Sequence, residues 1–331
     1  MSLAKSIHVY CKILNKSLHI TFAQKEWWAI AAIAGLIHTG AVFNMLLRTF
    51  LYIQPSDKIN ENNLSQISPF FDWVLNWAEN LTKFPTTHIL IYIIVSLAIF
   101  TFLILLALIA QYILLFIVSK GTDDISWKQI RSKLHHLHIL RLFSINAVMK
   151  ISFTIIIGLI SLILAQIAYH SDSYISEIIP RIALYTITIP ILFLIQMFCM
   201  TALVQLVKKE NSIGKVIVRS MNLLRNHWLT AFEIALILFI INFLTSGVLF
   251  ISLMCIAIIG GFVFQITLSA GSYILLSFVT FATVIICGTL MLVYAGATTT
   301  FNFSVWTQMC TYLEKYSHFA ALKHVIGKII N

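Results

Sequence analysis

Four stretches of this chain, residues 89–118, 151–169, 182–207 and 228–256, each exceed the about 18 apolar residues needed to cross a hydrocarbon core of roughly 30 Å. A spanning segment has to satisfy every backbone N–H and C=O within itself, so each stretch is read as a helix. Transmembrane barrels would instead show segments of about ten residues alternating apolar with polar, and the sequence has no such alternation. Composition agrees: 60% of residues are hydrophobic and 10% charged, against roughly 25% charged in soluble domains. The fold class expected is all-α, a polytopic transmembrane helical bundle of about six spans, forming a single transmembrane domain over residues 1–331.

The spans are placed at about 27–52, 88–119, 147–169, 181–207, 228–256 and 273–300, which puts both termini on one side. The weakest boundary lies in the block 228–306, whose one charge is Glu233. Two spans are preferred there over three, with Gly260, Gly261 and Gly271 in the outer turn. On the side of the termini fall Lys5, Lys12, Lys16, Lys25, Lys120, Lys128, Arg131, Lys133, Arg141, Lys208, Lys209, Lys215, Arg219, Arg225, Lys315, Lys323 and Lys328. The opposite side holds Asp57, Glu61, Asp72, Glu79, Asp172 and Glu177 with few basic residues. By the positive-inside rule the basic side is the cytoplasm. The localisation expected is therefore a bacterial inner membrane, crossed several times, with N- and C-termini cytoplasmic. In a soluble protein the net charge of +10 would suggest nucleic acid; here it is a topology signal, and no nucleic-acid partner is expected.

Residues 1–26 are read as retained rather than as a secretory signal, because lysines interrupt their apolar positions. The segment 54–87 is the one sizeable outer loop. Within it Ser68 as N-cap, Pro69 at the first helical position, and Phe70, Phe71, Val74, Trp77, Ala78 and Leu81 at helical spacing predict an interfacial helix over 69–81. The five cysteines, Cys11, Cys199, Cys255, Cys287 and Cys310, are dispersed and without a C-x-x-C pair, which points to neither disulfides nor zinc.

Three segments on the basic side share a plan: a basic residue followed by Ser, a short amphipathic helix, an aromatic residue, then a span. They are Lys16-Ser17 leading to Trp27-Trp28, Arg131-Ser132 leading to Phe143, and Arg219-Ser220 leading to Trp228. All three start on the same side, unlike the inverted repeats of many secondary transporters. With this plan, carried most clearly by residues 16–36 and 218–237, the chain resembles a loose group of bacterial six-span membrane proteins that includes the membrane domain attached to some glycerophosphodiester phosphodiesterases. The resemblance covers about two thirds of the chain. It implies architecture only, since no phosphodiesterase domain is present.

The sequence contains no G-x-x-x-x-G-K-[ST], H-E-x-x-H or G-x-S-x-G, so no phosphate loop, zinc-peptidase helix or nucleophile elbow is expected. His135, His136 and His138 form the tightest ligand cluster. Only His135 and His138 share a helical face, fewer than the three or four ligands of a stable metal site, so no metal or cofactor is expected. Ionisable groups inside a span default to a functional role. Lys150 and Glu233 lie nine and eight positions from Arg141 and Arg225, or roughly 12–14 Å into the membrane, and are the candidates for an intramembrane ion pair. Lys128, Arg131, Lys133, Arg141, Lys215, Arg219 and Arg225, on interfacial helices, are the candidate contacts for anionic lipid. Gln111, Gln205, Asn242 and other scattered polar residues suit interhelical hydrogen bonds, and Ala31-x-x-x-Gly35 permits close helix approach. The function expected is non-enzymatic: an inner-membrane protein acting through membrane lipids or a membrane or cytoplasmic protein partner in envelope maintenance. The alternative is a transporter or permease subunit for a small solute or lipid, coupled to a separate ATPase.

Overall fold

The computed structural model describes residues 3–38, 86–121, 128–130, 136–170, 174–209, 212–269 and 271–315. The expected loop helix over 69–81, the second half of the first span and the Arg131-Ser132 segment fall outside them. The described residues form helices and no strand: α1 (Leu3–Ala23), α2 (Trp28–His38), α3 (Thr86–Lys120), α4 (His136–His170), α5 (Tyr174–Lys209), α6 (Ile213–Ser269) and α7 (Tyr273–Lys315). A single 3₁₀ turn, Lys25–Trp27, separates α1 from α2. Among the described residues five helices, α3 to α7, are long and apolar enough to cross a membrane. The fold is thus an all-α, multi-pass membrane bundle.

The chain divides into two compact units. One comprises Met1–Leu36, Ala107–Leu142 and Met200–Asn331, the other Ile37–Leu106 and Phe143–Cys199. In the second unit α4 and α5 pair antiparallel: Met149 and Phe153 pack with Leu192 and Cys199, and Ile160 with Tyr185. Pro180 and Pro190 both lie inside α5, a placement membrane helices tolerate because neighbours restore the freed backbone bonds.

The first unit is organised around the second half of α7. At 43 residues this helix is about 64 Å long, twice the hydrocarbon thickness. Its first half exposes Ile274, Phe278, Phe281, Val284 and Leu292, as a lipid-facing helix does. From Thr299 to Cys310 every residue but Asn302 is buried. A helix without a charged face, enclosed on all sides, is a core helix. Thr300 and Thr307 satisfy their hydroxyls by donating to the carbonyls of Gly296 and Phe303, one turn back. The helix therefore runs well past residue 300, where the last span was expected to end.

α6 likewise runs on through Gly260–Gly261 and turns only at Gly271, whose φ of +69° is the left-handed conformation that glycine adopts without a steric penalty. Gly260 has a packing reason instead. A Cβ there would stand 2.9 Å from Cγ2 of Thr283, so the missing side chain lets α7 close in. Further along the hairpin the Ser246 and Tyr294 hydroxyls bond at 2.7 Å, and Asn242 Nδ2 donates to Asn302 Oδ1 at 3.1 Å. Partners advance along α6 as they retreat along α7, the register of a straight antiparallel hairpin.

α1 and the first turns of α6, residues 213–226, are built alike. Each buries a serine fully, Ser17 and Ser220, and each breaks just before a tryptophan-led helix. The break is the 3₁₀ turn before Trp28 in one case and His227, with φ −132° and ψ 26°, before Trp228 in the other. At the first break Gln24 is buried and donates from Nε2 to the carbonyl of Gly121, 3.3 Å away. Gly121, with φ +85°, closes the C-terminus of α3 through its N–H to Ile117.

Candidate functional site

Ionisable side chains of the first unit gather in two places. Where the end of α5, the start of α6 and the end of α7 meet, the Glu314 carboxylate collects three donors: Gln205 Nε2 at 2.8 Å, Arg219 Nη2 at 3.3 Å and Lys208 Nζ at 3.5 Å. Lys208 also donates to Thr311 Oγ1 at 2.9 Å. One acid from α7 thereby ties down two other helices. The Glu314 side chain is one-fifth exposed, so water and salt screen the ion pairs, and Glu314→Ala is expected to cost about 1 kcal/mol in thermal stability. The loss should shrink as salt is added; a loss independent of salt would mean that the hydrogen bond from Gln205, not charge, holds the cluster.

The second place is the base of α6. Glu233 is buried, and its Oε2 accepts a hydrogen bond from the hydroxyl of Tyr10 on α1. Tyr10 reaches it because Tyr10, Ile13, Ser17, Ile20 and Thr21 follow helical spacing and form the buried face of α1. Tyr10→Phe removes a donor from a buried carboxyl group and should destabilise the protein by about 1–3 kcal/mol. Glu233→Gln keeps an acceptor for the tyrosine and should lose less. The reverse order in paired thermal melts would show that the bond does not hold α1.

Lys150, the other member of the candidate intramembrane pair, belongs to the second unit. It is half-buried, and its carbonyl accepts a bond from Thr154. Of the candidate lipid contacts, Lys128, Lys215, Arg219 and Arg225 are exposed and Arg141 is half-buried, while Arg131 and Lys133 lie outside the described residues. His135 and the side chains of His136 and His138 also lie outside them. Among the described residues no three His, Cys, Asp or Glu side chains converge as metal ligands do.

Residues 213–226 present three faces at helical spacing. Val216 and Ser220 point inward, Ile217, Val218 and Met221 are exposed, and Lys215, Arg219 and Asn222 form an exposed polar row. A helix with apolar and basic faces side by side, leading into an apolar helix, has the form of an interfacial membrane helix.

Several participants escape a reading of the sequence alone. Tyr10 is an unremarkable aromatic 223 positions from its partner. Glu314 lies beyond the expected end of the last span, and its one sequence signal is to be the sole acid in a tail with Lys315, Lys323 and Lys328. The buried run 299–310 carries no charge on any face, but neither does the exposed first half of α7, so the sequence does not set it apart. Compared with known proteins, the chain matches no family model, no curated protein and no solved structure.

Proposed function

We propose that this is a non-enzymatic protein of a bacterial inner membrane, with both termini in the cytoplasm, acting through lipid or a partner protein in envelope maintenance. The observation that carries the reading is the outer surface of residues 213–226, where Lys215 and Arg225 stand exposed beside Ile217, Val218 and Met221. Such a surface suits the headgroup region, where each basic residue near anionic lipid contributes about 1 kcal/mol of attraction. The carboxylates of Glu233 and Glu314 support it as well, since both take part in bonds between helices. The test is a native mass spectrum of the protein released directly from its own membranes. Retained anionic lipid or stoichiometric added protein mass is the expected result. Turnover of a lipid substrate by the purified protein alone would overturn the reading.

A further inference from the structure

The surface of α1 divides into three stripes. On one flank of its buried face Leu18 and Phe22 stand exposed at i, i+4, Phe22 being 62% accessible. Beside them His8, Lys12, Lys16 and His19 form an exposed row, about 16 Å long at the helical rise. No acidic residue occurs in Leu3–Ala23 to neutralise that row. At residues 213–226, by contrast, Arg219 is already paired with Glu314.

The apolar stripe ends in a fixed aromatic pair. Phe22 meets Trp28 edge-on with ring centroids 6.0 Å apart, and the Trp28 indole N–H donates to the Thr21 carbonyl at 3.0 Å. The indole polar group is thus satisfied within the protein, and Phe22 presents hydrocarbon outward beside the half-buried Trp28. The chain then enters the apolar helix α2 after one 3₁₀ turn.

We propose that the outward surface of α1 is a binding surface for anionic phospholipid. Lys12 and Lys16 hold headgroup phosphodiesters while Leu18 and Phe22 enter the acyl boundary. Exposed hydrocarbon beside a basic row on a helix without acidic residues is the pattern by which interfacial helices select anionic over zwitterionic lipid. The proposal rests on the reading that the protein works through lipid, and names where and with which lipid class.

The test uses the full-length chain in phosphatidylcholine nanodiscs containing a minor fraction of phosphatidylglycerol, with retained lipid counted by native mass spectrometry. Each basic residue strengthens binding to an anionic surface about fivefold, so Lys12→Gln with Lys16→Gln should weaken phosphatidylglycerol binding about thirtyfold. Phosphatidylcholine retention should be unchanged, and Lys12→Arg with Lys16→Arg should bind as the wild type does. Both positions are exposed, so the glutamine variant is expected to fold, and an unchanged melting temperature checks it. Wild-type phosphatidylglycerol binding in the glutamine variant would overturn the proposal. If binding falls only on Lys215→Gln with Arg225→Gln, the α1 surface is overturned and the lipid reading stands. A wild-type protein that retains no phosphatidylglycerol overturns the α1 surface and the lipid arm of the proposed function together.

Discussion

Gly296→Ala is expected to destabilise the protein by about 3 kcal/mol or more, the upper end of what overpacking costs. A Cβ at Gly296 would lie 2.3 Å from the carbonyl oxygen of Trp28 and 2.8 Å from its carbonyl carbon. Those are backbone atoms and cannot rotate aside, so α2 would have to withdraw from α7. Withdrawal would also pull the Trp28 indole from the Thr21 carbonyl, loosening the seat of α1. Two other glycines grade the effect. A Cβ at Gly35 would meet the Thr299 hydroxyl at 2.7 Å, a group that can turn away, so Gly35→Ala should cost less. Gly288, about two turns earlier in α7, has nothing within 4 Å of such a Cβ, so Gly288→Ala should be neutral or slightly stabilising through helix propensity. Melting temperatures of the three variants, purified in one detergent, should fall in that order. Equal melting of Gly296→Ala and Gly288→Ala would mean that α2 does not pack on α7 at this point.

That contact also marks where reading the sequence succeeds and where it stops. Ala31-x-x-x-Gly35 is legible as a surface permitting close approach, and the structure sets Gly35 against Thr299. At Gly296 the corresponding row continues in Thr300 and Ser304 rather than in Gly or Ala, which marks close approach less plainly. Helical class is legible throughout, since uninterrupted apolar runs in lipid admit one backbone solution. The extent of a helix is not. Hydropathy falls after residue 300 as Thr, Asn, Ser and Gln enter, which resembles emergence into water but here reflects enclosure by neighbouring helices.

The candidate site shows the same division. Basic residues are legible as a set because topology depends on their number and side. Their pairing is not: nothing in the sequence assigns Arg219 and Lys208 to Glu314 while leaving Lys215 exposed. Glu233 stands out because a charge within a span is costly. Its hydrogen bond from Tyr10 depends on α1 turning its tyrosine face inward, which is settled by the packing of α1 against α7 and the base of α6.

Phe303→Ala and Phe243→Ala should differ sharply although they delete the same ring from the same hairpin. Phe303 is 0% exposed in the enclosed part of α7, and Phe243 is 68% exposed on α6. For a protein in lipid the usual transfer gain of burial largely disappears, because acyl chains are as apolar as the protein interior. What remains at Phe303 is the cavity. Removing a volume of roughly 100 Å³ at about 24 cal/mol per Å³ predicts a loss of about 2.4 kcal/mol. At Phe243 lipid fills the space, so the expected change is near zero. Thermal unfolding of both variants in nanodiscs checks the difference. A Phe243→Ala loss as large as that at Phe303 would show that protein, not lipid, covers the exposed arm of α6; a negligible loss at Phe303 would show that the second half of α7 is not the core of its unit.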